Sequence, residues 1–161
     1  MAVFVIAFYG GSLYTHDPAE AQLLVDEFMK DLEGIDGVGI FIHNTTLALV
    51  MFIPGFGTVF GIVSGVSTGY MLSAIMTISP EIPISPLELL FLTPFGLLEI
   101  TAYSLAGSRS FLLIYKIIKK VSIRSDGRIV AIEVGVTASL LLAGGLIEYY
   151  MIEMAQEVGV F

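Results

Sequence analysis

Long apolar stretches alternate with short polar ones along this chain, and the spacing predicts helices that cross a membrane. A helix rises about 1.5 Å per residue, so about 20 apolar residues span a hydrocarbon core about 30 Å thick. The pattern predicts five transmembrane helices, at about residues 1–15, 38–53, 57–78, 88–107 and 129–151. The first stretch is short for a span, and we interpret it as a transmembrane helix whose beginning is missing. A signal peptide is the alternative, but the stretch lacks a basic start and a small-residue cleavage site.

The polar stretches between the spans predict two amphipathic segments. Residues 17–33 carry apolar side chains at intervals of three and four, which predicts an outer amphipathic helix. These side chains are Ala21, Leu24, Val25, Phe28, Met29 and Leu32. The helix either presents only a solvated face, docks a partner or covers the outer end of the bundle. Residues 108–128 are both apolar and cationic, which predicts a cytoplasmic segment on the membrane surface or an extension of the fourth span into the headgroups.

The charges are segregated, and this predicts the orientation in the membrane. The 161-residue chain has a formal net charge of −8, yet six of its seven basic residues lie between Arg109 and Arg128. Seven of the fifteen acidic residues lie between Asp17 and Asp36. Because basic loops stay in the cytoplasm, we predict a plasma-membrane protein with its N-terminus inside and its C-terminus outside. The charge pattern excludes a nucleic-acid partner, and the lack of cysteine excludes disulfides and thiolate metal sites.

Two rows of small residues at four-residue spacing predict close helix packing. The first row lies on the third span and comprises Gly57, Gly61, Gly65, Gly69 and Ser73. The second row lies on the fifth span and comprises Ala131, Gly135, Ser139 and Ala143. Residues four apart share one helix face, and small residues there let another helix approach closely. Two such rows exceed what a five-helix bundle needs for its own packing, so we predict a homo-oligomer.

The fourth span contains a carboxylate at a depth where a charge is costly. Glu99 lies roughly 16 Å from the end of the span at Glu88, close to the membrane midplane. A bare charge there costs about a few kcal/mol or more, so we expect Glu99 to be paired, protonated or functional. Pro94 and Gly96 precede it, and Pro94 predicts a kink because it cannot donate to the carbonyl of Leu90.

Several loose motifs occur in a characteristic order. They are Asn44 near the start of a span, a glycine-punctuated hairpin at 54–69 with the pair Thr68-Gly69, the run from Pro94 to Glu99, and Ile147-Glu148 near the end of the last span. In this order the chain, from Ile40 to about Leu113, resembles the stage II sporulation protein M family of multi-pass membrane proteins. Phe95 stands where that family has a histidine, so a proton role of that histidine is not available here. Thr68 stands where the family has an asparagine.

The resemblance implies an integral membrane protein. In spore-forming organisms the family member works with cell-wall hydrolases during engulfment. Homologues also occur in organisms that make no spores, so this role does not transfer directly to the chain.

Five polar residues are candidates for an ion pathway or for a polar lock between helices: Glu99, Thr68, Asn44, His43 and Glu148. Helix rise places Glu99 and Thr68 both about 15 Å from the outer end, with Asn44 and His43 nearer to it. Carboxylate and hydroxyl oxygens suit a cation, whereas a protonated Glu99 could instead hydrogen-bond a neighbouring helix. We interpret His43 as a packing residue rather than a metal ligand. Glu148 fits a carboxylate that reaches the interface.

The sequence thus predicts an all-α integral membrane bundle, a single domain over residues 1–161 with no cofactor and no catalytic residue. The leading hypothesis is a homo-oligomeric channel or transport protein that binds or conducts cations. The alternative is a non-conducting scaffold that holds a membrane or cell-wall partner protein. An intramembrane hydrolase is a remote third hypothesis, because the G-x-S-x-G pattern at 65–69 lies inside a helix, where the glycine row explains it.

Overall fold

The computed structural model describes residues 1–32, 35–80 and 84–157. Helices form most of these ranges and no strand occurs in them, which confirms the all-α class. The helices are α1 (Ala2–Ser12), α2 (Pro18–Leu32), α3 (Gly37–Met51), α4 (Phe56–Ile78), α5 (Pro86–Leu92), α6 (Pro94–Ile118) and α7 (Gly127–Glu157). A short 3₁₀ helix at Arg124–Asp126 leads into α7.

Three helical stretches are long and apolar enough to cross a membrane: α4, α6 and residues 124–154, which include most of α7. Helices α1 and α3 are apolar but shorter, with 11 and 15 residues. These helices support a membrane protein, and the count of five spans stays a prediction. Helix α7 has 31 residues, so at about 1.5 Å per residue it is longer than a bilayer core is thick.

The predicted fourth span consists of two helices, because the chain breaks at Thr93. Helix α5 begins with a reciprocal capping box between Ser85 and Glu88. Thr93 has an extended backbone and caps α6, and Pro94 occupies the first turn of that helix. The kink expected at Pro94 is therefore a complete interruption followed by a new helix. Helix α6 then runs to Ile118, so the first part of the predicted basic segment extends the span and no separate surface helix forms in that described stretch.

Helix α1 lies beside α4 and runs parallel to it. The carbonyl oxygen of Phe4 faces Gly65, and that of Phe8 faces Gly69 one turn further along both helices. A Cβ at Gly69 would overlap the Phe8 oxygen, so only glycine permits this approach. The reverse contact exists too, since a Cβ at Gly11 would overlap the backbone of α4. The middle of the first small-residue row, Gly65 and Gly69, therefore packs against α1, whereas Gly57 lies against Met51 at the end of α3.

Helices α3 and α6 run parallel to each other, and α7 runs antiparallel to both. Ser110 on α6 donates to the carbonyl of Ile53 at 2.6 Å, just past the end of α3. At the other end of α3, Gly37 packs against Tyr149 of α7, with 3.3 Å from a Cβ at Gly37 to the Tyr149 Cβ. The turn that follows α3 and the part of α7 around Tyr149 thus lie at opposite ends of the bundle.

The bundle has one acidic and one basic end. We call the end that holds α2, the start of α3 and residues around Tyr149 the acidic end. We call the opposite end, with the α3–α4 turn and residues 109–128, the basic end. Gly55 in the α3–α4 turn lies against Ile114 of α6, with 3.2 Å from a Cβ at Gly55 to the Ile114 side chain. The segregation of charge along the sequence is therefore a segregation along the bundle axis.

Helix α2 covers the acidic end of α4. Its inward residues Ala21 and Val25 are buried and pack with Ala74 of α4. This contact fits the alternative in which the stripe covers one end of the bundle, and the outer position of α2 stays a prediction. Leu23 is exposed at 71% on the opposite side of α2. Met29 was predicted as part of the apolar stripe and continues the Ala21–Val25 row, but it is exposed at 55%.

The second small-residue row lies on an exposed face of α7. Its four members, Ala131, Gly135, Ser139 and Ala143, are all exposed. No described atom outside the local backbone lies within 4 Å of a Cβ built at Gly135. Ser139 donates to the Gly135 carbonyl of its own helix. This row is available for contacts outside the bundle.

Candidate polar lock at the centre of the bundle

A hydrogen bond joins α3 to α6 in the interior of the bundle. Asn44 is 9% exposed, and its Nδ2 atom donates to Glu99 Oε1 at 2.5 Å. Asn44 lies two turns into α3, a helix that begins at Asp36, whose side chain accepts from the Gly39 amide. The bond gives the buried amide and the buried carboxylate a partner each and constrains the relative rotation of the two helices.

The start of α6 determines where Glu99 lies. Thr93 Oγ1 donates to the Leu89 carbonyl at 2.9 Å and accepts from the Gly96 amide at 3.2 Å, so it closes α5 and opens α6. A Cβ at Gly96 would overlap the Leu90 carbonyl oxygen, so the close approach of the two helices requires glycine. Glu99 follows in the second turn of the new helix. The Pro94–Gly96 element thus positions the carboxylate opposite α3.

Helix α7 closes the third side of this cluster. A Cβ built at Gly144 would lie 3.9 Å from Glu99 Cγ, so α7 passes directly over the glutamate. Gly145 packs on α3, with 3.2 Å from its Cβ position to the Phe41 amide nitrogen. Glu148 lies one turn beyond Gly144 on the same face and is partly buried. It therefore lies one turn from the point where Gly144 meets Glu99, on the face of α7 that packs against α6.

Tyr103 extends the cluster by one turn along α6. It is 9% exposed, and its ring centroid lies 5.8 Å from that of Phe4 on α1. Tyr103 follows Glu99 by four residues and therefore lies on the same face of α6. We call Asn44, Glu99, Tyr103 and Glu148 the polar lock. These residues come from three helices and, through Phe4, contact a fourth.

Two of the sequence candidates lie elsewhere. Thr68 is exposed on α4 and donates to the Ser64 carbonyl of its own helix. His43 is exposed on α3, one residue before Asn44. Of the five candidate residues, the structure therefore brings Asn44, Glu99 and Glu148 together and leaves Thr68 and His43 on outward faces.

Tyr103 is not among the candidates predicted from the sequence, although its spacing offered a signal. It follows Glu99 by four residues, which places both on one face of a helix. An aromatic residue with a hydroxyl at that spacing, deep in an apolar span, needs a polar partner when it is buried.

An ion-pair cluster at the basic end was also overlooked. Arg109 on α6 binds both carboxylate oxygens of Glu133 on α7 through its Nε and Nη2 atoms. Lys116 Nζ contacts the two carboxylate oxygens of Asp126 at 2.6 and 2.9 Å. Asp126 also lies 3.9 Å from Arg109 and is only 4% exposed. These pairs tie the α6–α7 connection together.

A third polar contact seats the chain between α1 and α2 on α4. His16 is buried, and its Nε2 atom lies 3.1 Å from the Tyr70 carbonyl oxygen and 3.0 Å from Ser73 Oγ. Ser73 itself donates to the Tyr70 carbonyl at 2.7 Å. Nε2 therefore donates a hydrogen bond in this arrangement. His16 thus stabilises the packing of the α1–α2 connection against α4 at the acidic end.

The polar lock has the chemistry of a hydrogen-bonded cluster. Two carboxylates, one amide and one phenol can share protons and hydrogen bonds within an apolar bundle. In the residues that the structure describes, no group of three or more histidine, aspartate or glutamate side chains could hold a metal ion.

Comparison with known proteins identifies the family. The sequence profile of stage II sporulation protein M matches residues 1–151, which is more of the chain than the motifs cover. The chain belongs to the stage II sporulation protein M family. No curated protein and no solved structure matches it significantly. Membership confirms the resemblance drawn from Asn44, the Pro94–Glu99 run and Glu148, all of which contribute to the polar lock or position it.

Proposed function

We propose that this family member is a non-conducting membrane scaffold, in which Glu99 holds helices together instead of passing ions. The main support for the proposal is the hydrogen bond from Asn44 to Glu99. Through this bond the buried carboxylate already has a partner on a neighbouring helix. The outward positions of His43 and Thr68 support it further, since a polar pathway would need such groups to face the glutamate.

The scaffold crosses the membrane five times in this proposal, with the N-terminus inside and the C-terminus outside. The directions of α1, α3, α4, α6 and α7 alternate as five consecutive spans require, and the basic end then faces the cytoplasm. The chain contains no cysteine, so single cysteines report topology cleanly. A cysteine at Ser122 should react with a membrane-impermeant maleimide only from the cytoplasmic side, and one at Thr15 only from outside. The opposite labelling would overturn the orientation.

The acidic end offers the scaffold a surface for a partner protein. Leu23 of α2 is exposed among Glu20, Asp26 and Glu27 on the side away from α4, and Met29 is exposed at the edge of the stripe that packs within the bundle. An apolar centre with an acidic rim fits a partner domain that has an apolar patch edged by basic residues. The partner lies on the outer side, where a membrane or cell-wall protein can reach it.

Crosslinking in native membranes tests this surface. A photoreactive amino acid at Glu27 should give a discrete adduct with another protein, and Leu23→Ser with Met29→Ser should remove that adduct. Leu13→Ser, which replaces an exposed apolar residue outside α2, serves as the matched control and should leave it unchanged. Absence of the adduct in the wild type, or its persistence in the α2 variant, would contradict the proposed surface.

The scaffold forms a homo-oligomer through the exposed row on α7 in this proposal. Gly65 and Gly69 of the first row already pack against α1, whereas Gly135 and Ser139 are exposed and no described atom lies near the Cβ position of Gly135. Small residues at this spacing allow two copies of α7 to approach closely in lipid.

Cation binding is the second candidate function. The position of Glu148, one turn along α7 from the contact between Gly144 and Glu99, favours it, since two neighbouring carboxylates attract a cation or share a proton. On this alternative the acidic end raises the local cation concentration and the oligomer encloses the path. A flux measurement on Glu99→Gln separates the two functions.

A further inference from the structure

The basic end carries more cations than its carboxylates can neutralise. Between residues 100 and 147 the sequence holds six basic residues but only two acidic ones, Asp126 and Glu133. The remainder of the chain has a single basic residue, Lys30. The basic end therefore has a net side-chain charge of plus four in a protein whose overall charge is −8.

The structure divides these six cations into two classes. Arg109 and Lys116 are turned inward and take up both carboxylates. The other four are fully on the surface: Lys119, Lys120, Arg124 and Arg128. They form no ion pair within the described residues. We call these four residues the basic rim.

Exposed apolar side chains alternate with the basic rim. Ile118 is 70% exposed and Val121 is 53% exposed, and Ile123 is also exposed. A soluble acidic partner or a free phosphate ion would leave these side chains in water. A membrane interface accommodates both classes, because the apolar side chains enter the acyl region while the cations stay among the headgroups.

One member of the rim occupies a backbone position that normally favours glycine. Lys120 has φ of 55°, the sole non-glycine residue with positive φ in the described part of the chain. It ends α6 in a Schellman-type turn, in which the Val121 amide donates to the Lys116 carbonyl and the Lys120 amide to Ile117. Glycine adopts this conformation without a steric cost, whereas a residue with a Cβ is strained in it. Lys120 therefore places a positive charge at the turn at a cost in backbone conformational energy.

We propose that the basic rim is a binding site for anionic phospholipid headgroups in the leaflet around the basic end. The unpaired charge supplies the attraction, and the interleaved apolar side chains hold the turn at the depth of the headgroups. This interaction surface is independent of the partner surface on α2, which lies at the opposite end of the bundle.

The experiment measures the preference for anionic over zwitterionic lipid beside the rim. The chain has no tryptophan, so Val121→Trp introduces a single fluorescent reporter at the turn. The protein is reconstituted into mixtures of brominated phosphatidylglycerol and phosphatidylcholine, and quenching gives the relative binding constant of the two lipids. In the reporter protein we expect a preference for phosphatidylglycerol of about fivefold or more that weakens with salt.

Substitutions at Lys120 separate charge from fold. Lys120→Gly removes the charge but suits the positive φ, so it should lower the preference by up to about fivefold while thermal stability stays equal or rises. Lys120→Arg should keep the preference. Replacing all four rim residues, three by glutamine and Lys120 by glycine, should bring the relative binding constant close to one. Lys30→Gln at the opposite end is the matched control and should change nothing.

Three outcomes would overturn the proposal. The first is a relative binding constant of one in the reporter protein. The second is an unchanged preference in the four-residue variant. The third is loss of the preference in inorganic phosphate but not in chloride of equal ionic strength, which would assign the rim to a soluble anion.

Discussion

Asn44 on α3 donates a hydrogen bond to Glu99 on α6, although 55 residues separate them in the sequence. Both residues belong to the motifs that carry the family resemblance, and the hydrogen bond between them joins α3 to α6. Around this bond α7 contributes Gly144, whose missing side chain lets the helix pass over Glu99, and Glu148 one turn later. The carboxylate of Glu99 on α6 thus lies between α3 and α7.

The energetic coupling between Asn44 and Glu99 is the first prediction. Asn44→Ala and Glu99→Ala, each alone, should lower the free energy of unfolding in mixed micelles by about 1–3 kcal/mol, because each leaves a buried partner without its bond. A double-mutant cycle should give a coupling of about 0.5–2 kcal/mol. Thr46→Val on the exposed face of α3 is the control. Strict additivity of the two alanine variants would show that the bond contributes nothing.

The seat of α1 on α4 gives the second prediction. Gly69→Ala places a methyl group on the Phe8 carbonyl, so it should destabilise the bundle by about 1–3 kcal/mol and make α1 accessible to protease. Gly10→Ala is the matched control, since nothing lies within 4 Å of its Cβ position among the described atoms. It should be neutral or slightly stabilising in a helix. Equal stability of the two variants would contradict the close α1–α4 contact.

Spacing along a helix predicts depth and faces, but not which neighbour a face meets. The glycine row was visible at four-residue intervals, and its face is the one that α1 occupies. Thr68 precedes Gly69 by one residue, a rotation of about 100°, so it turns away to an outward face. His43 precedes Asn44 in the same way. Depth along the helices predicts that Thr68 lies level with Glu99. Thr68 nevertheless points away from Glu99, because of its angular position around the α4 axis.

Contacts that depend on the register between two helices could not be predicted from the sequence. The Arg109–Glu133 pair requires α6 and α7 to lie antiparallel with a defined offset, which neither residue specifies. The basic segment was predicted as one unit, but its first part belongs to α6 and most of the rest forms the connection between α6 and α7. The break at Thr93 was foreseen only as a kink at Pro94, because the threonine's capping role depends on the Gly96 amide being within reach.

The Arg109–Glu133 pair gives the third prediction. Both side chains are largely shielded, so Glu133→Gln leaves the arginine without its bidentate partner and should cost about 3 kcal/mol of stability. Replacing both residues by leucine should recover most of that loss, because the uncompensated charge disappears. Glu27→Gln on exposed α2 controls for the loss of an acidic residue. If Glu133→Gln proves as stable as this control, the pair does not hold α6 to α7.

Contacts between copies through α7 give the fourth prediction. A single cysteine at Ser139 should form a disulfide-linked dimer in native membranes, whereas Ser67→Cys on the exposed face of α4 should not. Gly135→Leu should reduce crosslinking at position 139 without lowering the stability of the bundle, since no described side chain packs on Gly135. Equal crosslinking at both serine positions would indicate random collision instead of a defined interface.

In the proposed scaffold, Glu99 holds helices together and no ion passes through the protein. The direct measurement is cation flux into proteoliposomes containing the wild type, Glu99→Gln or Glu148→Gln, with protein-free vesicles alongside. Glutamine can still accept the bond from Asn44, so we expect Glu99→Gln to fold normally. We predict that flux in all three preparations equals the lipid background. Flux above that background in the wild type that falls in Glu99→Gln would contradict the account and establish the carboxylate as part of an ion pathway.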